Sequence, residues 1–128
     1  MMAGEFVFNM ANRRMISKSI STSRKLAKAS AYSSLLFTWL IPHCDDSGNM
    51  DAEPAIVRGT VMPLRPESIE DTEKALLELE LLGLVKMYQI NEEKFLHINK
   101  WEDHQTLRTD RLDLRFPKPN FTNEAKKK

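Results

Sequence analysis

With a single cysteine, Cys44, the chain has no internal disulfide to form, which fits a reducing cytosol. Its four glycines include no glycine-rich run, so a backbone cradle for nucleotide phosphates is missing. Long apolar runs are missing too. The opening MMAGEFVFNM has no basic n-region, and its apolar stretch is too short for a signal core or a membrane span of about 20 residues. His43, His97 and His104 each stand alone, without a second ligand at Cys-x-x-Cys or His-x-x-x-His spacing. His43, Cys44, Asp45 and Asp46 carry metal-capable atoms, but adjacency in sequence is the wrong geometry for a chelate, so a structural role is expected and no metal. No serine, cysteine or lysine has an identifiable base and orienting partner. An enzyme is therefore the least supported class, and no cofactor is expected. An excess of one charge is absent as well: 19 Lys+Arg against 18 Asp+Glu leaves +1, so only the distribution of charge is informative.

That distribution is uneven. Residues 1–29 carry Arg13, Arg14, Lys18, Arg24, Lys25 and Lys28 against Glu5, a net of +5. Residues 66–83 carry Lys74 against Glu67, Glu70, Asp71, Glu73, Glu78 and Glu80, a net of −5.

Residues 68–98 organise the chain. Ser68 is a good helix N-cap, Asp71 three positions on closes a weaker capping box, and Glu67, Glu70 and Asp71 sit where a helix N-terminus favours negative charge. Gly83 supplies the stop. At about 100° per residue, Ile69, Leu76 and Leu79, with Ala75 and Leu82 beside them, form the side that faces a core. After Gly83 the period changes to strand in LVKMYQI and KFLHI, joined by the polar turn Asn91-Glu92-Glu93-Lys94. A glycine-ended helix leading into a hairpin is the pattern of a recognition helix and its wing.

Upstream, ASAYSSLLFTWLIPHC places Tyr32, Leu35, Leu36, Trp39 and Leu40 at helical spacing, ended by Pro42 and the turn signal at residues 45–49. Residues 52–62 hold a short helix, with Pro54 in its first turn and Ala55, Ile56, Val57 and Val61 facing inward. Pro63 and Pro66 bracket a rigid turn. The expected architecture is α+β and mainly helical: a winged helix-turn-helix of three helices and a two-stranded hairpin wing. It occupies residues 29–105, with a basic, lightly packed arm at 1–28 and an extended polar tail at 106–128, disordered after about Pro117. Met10 opens a more typical start, so residues 1–9 read as either a non-native addition or an upstream start. Trp39 is expected to anchor the core and Trp101 to close it over the hairpin.

Several stretches carry a family resemblance: LLFTWLIPHCDDSGNM, the preceding RRMISKSISTS, Met62-Pro63-Leu64-Arg65 and WEDHQ. Together they resemble the N-terminal domain of phage and prophage replisome-organiser proteins, often described as DnaD-like replication initiators, over residues 10–119. The resemblance implies a winged helix-turn-helix that binds origin DNA in the bacterial host cytosol and brings in helicase-loading proteins. Such proteins commonly carry a further C-terminal domain. The turn at residues 91–94 departs from the pattern in lacking the glycine expected at a tight wing.

The arm's cations suit phosphate contact, which positions a protein on double-stranded DNA without reading sequence, although the residues alone leave a plain solvated N-terminus equally open. Arg58, Arg65, Lys86 and Lys94 are candidates to extend that surface, with Arg108, Arg111 and Arg115 beyond them. On the long helix only Lys74, or Glu70 or Asp71 accepting from a cytosine amine, could touch bases. Leu77 and Leu81 form either an interface, for a partner or for weak self-association, or a second buried side of the helix. The expected function is DNA binding through phosphates in replication initiation. Its alternatives are a transcription regulator on the same fold, or a protein-interaction module with little DNA binding.

Overall fold

The computed structural model describes residues 13–105 and 114–119. They form three helices, α1 (Ala31–Leu40), α2 (Pro54–Val61) and α3 (Ile69–Leu81), and three strands, β1 (Asn49–Asp51), β2 (Val85–Ile90) and β3 (Glu93–Ile98). The strands make one antiparallel sheet in the order β1-β3-β2. This is an α+β domain, as expected, but its sheet has a third strand.

That strand, β1, replaces the tail of the expected turn. The Asp45 carboxylate accepts from the backbone N–H of Ser47 and of Asn49, which tightens the turn to residues 45–48 and releases Asn49, Met50 and Asp51 to pair with His97, Leu96 and Phe95. Three residues are too few for a period-2 pattern to register.

Helix α3 agrees with its local signals. Ser68 Oγ accepts from Asp71 N and Asp71 Oδ2 accepts from Ser68 N, which closes the capping box. At the other end Gly83, at φ +80°, forms a Schellman stop: Leu84 N donates to Leu79 O and Gly83 N to Glu80 O. Thr72, Ala75, Leu76 and Leu79 are buried, whereas Ile69, expected inside, lies exposed in the first turn.

Helix α1 is turned from its expected phase. Its buried stripe is Ser33, Leu36, Phe37 and Leu40, and Trp39, expected to anchor the core, is 40% exposed. In AYSSLLFTWL hydrophobicity barely distinguishes one face from another. What sets the rotation is polar: Glu78 of α3 accepts from the backbone N–H and hydroxyl of Ser30 and from the hydroxyl of Ser33. Helix α2 is shorter than expected and buries Pro54, Val57 and Val61; Ala55 and Ile56 face solvent.

The hairpin turns at Asn91-Glu92, both at positive φ (52° and 72°), as a two-residue type I′ turn requires. A hairpin without glycine is thus tight after all, with asparagine in one of the left-handed positions it tolerates best. Trp101, in the 3-10 turn Trp101–Asp103, is buried as expected, and its Nε1–H donates to Asp46 O at 2.8 Å.

The arm and the tail are held more firmly than their composition suggests. Residues 13–28 include the 3-10 turns Lys18–Thr22 and Leu26–Lys28, and Leu26 is part of the core. Residues 114–119 lie against the sheet, with the Phe116 ring 6.3 Å from Phe95. The expected disorder after Pro117 concerns mostly residues 120–128, outside the described residues.

Candidate nucleic-acid interface

The candidate cations divide into two groups. Arg13, Lys18, Arg24, Lys25 and Lys28 of the arm, Lys74 of α3, and Lys86 and Lys94 of the hairpin are exposed, with no ion pair to another described residue. They are available to an anionic partner.

Arg14, Arg58 and Arg65 are committed within the fold. The Arg14 side chain is 7% exposed, paired with Asp46 at 2.8 Å, donating to Cys44 O at 3.0 Å and lying 5.4 Å from the Trp101 ring. A buried guanidinium so held is a clasp for the arm, which removes Arg14 from the phosphate-contacting set. Arg58 reaches from α2 to donate to the carbonyls of Glu67 and Arg65, bracing the turn before α3. Arg65 forks onto the Glu67 carboxylate at 3.1 and 2.8 Å, a half-exposed pair that holds Glu67 below the usual carboxylate range and raises the guanidinium. Arg108 and Arg111 lie outside the described residues. Arg115 is exposed and stacks its guanidinium 5.1 Å from the Phe116 ring.

A cavity of about 640 Å³ separates the arm from the body. Phe37, Ile41, Leu84, Ile98 and Trp101 line it, with Arg24, Lys25 and Lys100 also on its walls. Lys25 Nζ sits against Gly83, at the carbonyl-rich end of α3, where a cation is favoured. Lys100, exposed and at φ 60°, adds a cation that the sequence reading did not single out.

The acidity of residues 66–83 is largely occupied in structural contacts. Glu67 holds Arg65, Asp71 closes the capping box, Glu78 binds Ser30 and Ser33, and Glu80 Oε2 accepts from the N–H of Met87 on edge strand β2 at 2.9 Å. The remaining exposed face of α3 is Ile69, Glu70, Glu73, Lys74, Leu77 and Leu81. Leu77 is 51% and Leu81 88% exposed, so these leucines are surface and not a second core side.

In the histidine–cysteine–aspartate run Asp45 ties the turn, Asp46 pairs with Arg14 and Cys44 lies in the core. Cys44 is buried, and that burial, with Asp45 beside it, pushes its thiol far up despite Arg14. His97 Nδ1 meets Asn49 Oδ1 at 2.8 Å, and burial pulls the imidazole below its ordinary value. Among the described residues no group of three or more His, Cys, Asp or Glu could hold a metal ion, and no helix is long and apolar enough to cross a membrane.

No protein-family model, curated protein or solved structure matches the chain.

Proposed function

We propose that this chain is a winged-helix module that grips double-stranded DNA through its phosphates, in the manner of a phage-type replication initiator. The element order α1-β1-α2-α3-β2-β3 and the sheet order β1-β3-β2 support the winged-helix reading. The resemblance of residues 10–119 to replisome organisers supports the replication role. The observation that carries DNA contact is the set of exposed cations on the arm and hairpin that have no ion pair among the described residues: Arg13, Lys18, Arg24, Lys25, Lys28, Lys86 and Lys94. Phosphate contacts need such side chains and little else.

Base readout by α3 has weak support, because its outward face offers Glu70 and Glu73 against Lys74. Binding is therefore expected to be tolerant of sequence and steep in salt. If about five phosphates are engaged, log K falls against log salt with a slope of about −4 to −5, since each contributes roughly −0.9. A titration of labelled duplex at several salt concentrations measures it, and a slope near zero removes the proposal. A transcription regulator would use the same contacts. The second reading, docking of a replication partner on α3, rests on the exposure of Leu77 and Leu81.

A further inference from the structure

On the sheet the chain builds a slot and fills it with its own tail. Tyr88 of β2 and Phe95 of β3 stack with ring centroids 5.7 Å apart, and Asp45 stands beside them, almost completely buried. One oxygen of Asp45 is held by the N–H groups of Ser47 and Asn49, so the carboxylate is fixed by the body of the domain. The other accepts from the backbone N–H of Phe116 at 3.0 Å. One residue on, the Tyr88 hydroxyl donates to Pro117 O at 2.6 Å. Burial and the neighbouring Asp45 and Cys44 push that phenol well above its ordinary value, so it stays a donor.

Both polar contacts address the backbone of the tail, and its side chains contribute one ring. Phe116 is half-buried against Phe95, whereas Leu114, Arg115, Pro117 and Lys118 are exposed. The slot therefore selects a pattern: an aromatic residue that offers its N–H, followed by a residue that offers its carbonyl. Proline suits the second place because it has no N–H to strand and its fixed φ lowers the cost of ordering an extended segment. A cation before the aromatic adds a contact of its own, as Arg115 does over Phe116.

We propose that the Asp45–Tyr88–Phe95 slot is a peptide-docking site for an extended basic–aromatic–Pro segment of a partner protein, occupied in cis by Arg115-Phe116-Pro117. The tail is then a tethered competitor, and its local concentration sets how strongly a partner must bind to displace it. The site shares no residue with the proposed DNA contacts, and either reading can fail without the other.

The test uses the full chain and a capped, fluorescent peptide of sequence LRFPKP. Phe116→Ala weakens the cis occupant, so this variant binds the peptide at least about tenfold more tightly than the unaltered chain, which still holds its own tail. A peptide with alanine in place of phenylalanine does not bind, and adding Tyr88→Phe to the variant removes most of the gain. Should Phe116→Ala not fold unaided, the peptide restores its melting transition. The proposal is overturned if the folded variant binds LRFPKP no better than the alanine peptide, if the unaltered chain binds it equally well, or if an unfolded variant is not rescued.

Discussion

Trp101 occupies the space that a side chain at Gly48 would need: a Cβ on Gly48 would lie 2.6 Å from Trp101 Cγ. Gly48 also stands at φ +83°, where L-residues are strained. The two residues sit side by side because Gly48 O accepts from Ile98 N while the indole donates to Asp46 O. Gly48→Ala is expected to cost about 2 to 5 kcal/mol, from backbone strain of about 1 to 2 and overpacking of about 1 to 3. A denaturant midpoint unchanged from the parent would refute this close fit.

The two tryptophans should separate clearly. Trp101→Ala removes a buried indole and is expected to cost about 3 to 5 kcal/mol, a large share of a small domain's stability. Trp39→Ala, at a partly exposed position, should cost below about 2 kcal/mol. Paired chemical melts decide it. Equal losses would mean that α1 is turned the other way.

Arg14 and Lys18, four residues apart in the arm, should fail in different assays. Arg14→Ala breaks the ion pair with Asp46 and uncovers Trp101, and breaking a buried pair costs up to about 3 to 5 kcal/mol. Lys18→Ala leaves stability alone and makes the salt slope of DNA binding shallower by roughly 0.9 if Lys18 meets a phosphate. A variant that lost stability at Lys18 and not at Arg14 would reverse the division between the two groups of cations.

Acid should loosen the contact between α1 and α3. The Ser33 hydroxyl, with Ser30, holds Glu78 below the usual carboxylate range. Since the folded pKa lies under the unfolded value, the stabilisation is complete above about pH 4.5 and is lost as pH falls through the folded pKa. Melting temperatures of the parent and Glu78→Gln should differ at neutral pH and converge in acid. A gap independent of pH would assign the effect to shape and not to charge.

Leu77 and Leu81 are exposed, so Leu77→Glu combined with Leu81→Lys should leave the domain folded. If α3 docks a helix, burying the two leucines supports only a weak complex, at about 1.5 to 3 kcal/mol each less the cost of association. Sedimentation over a concentration series is then expected to show self-association in the parent and none in the double variant. A parent that stays monomeric at the highest accessible concentration removes self-association through this face.

What the sequence determined by itself lies within a few residues along the chain. The Ser68–Asp71 capping box, the Gly83 stop and the two strands of the hairpin all follow from neighbours on one turn or one strand. Tertiary structure alone decided what depends on distant partners. Ser33 meets Glu78 across 45 positions and turns α1 so that Phe37 and not Trp39 faces inward. Asn49 is placed in a third strand by β3, Arg14 leaves the set of free cations on meeting Asp46, and Phe116 reaches Asp45 across 71 positions. Each of these is a polar group finding a complement in a buried or half-buried place. Its free energy depends on desolvation and geometry that only the assembled fold creates, whereas a cap or a turn forms from backbone already at hand.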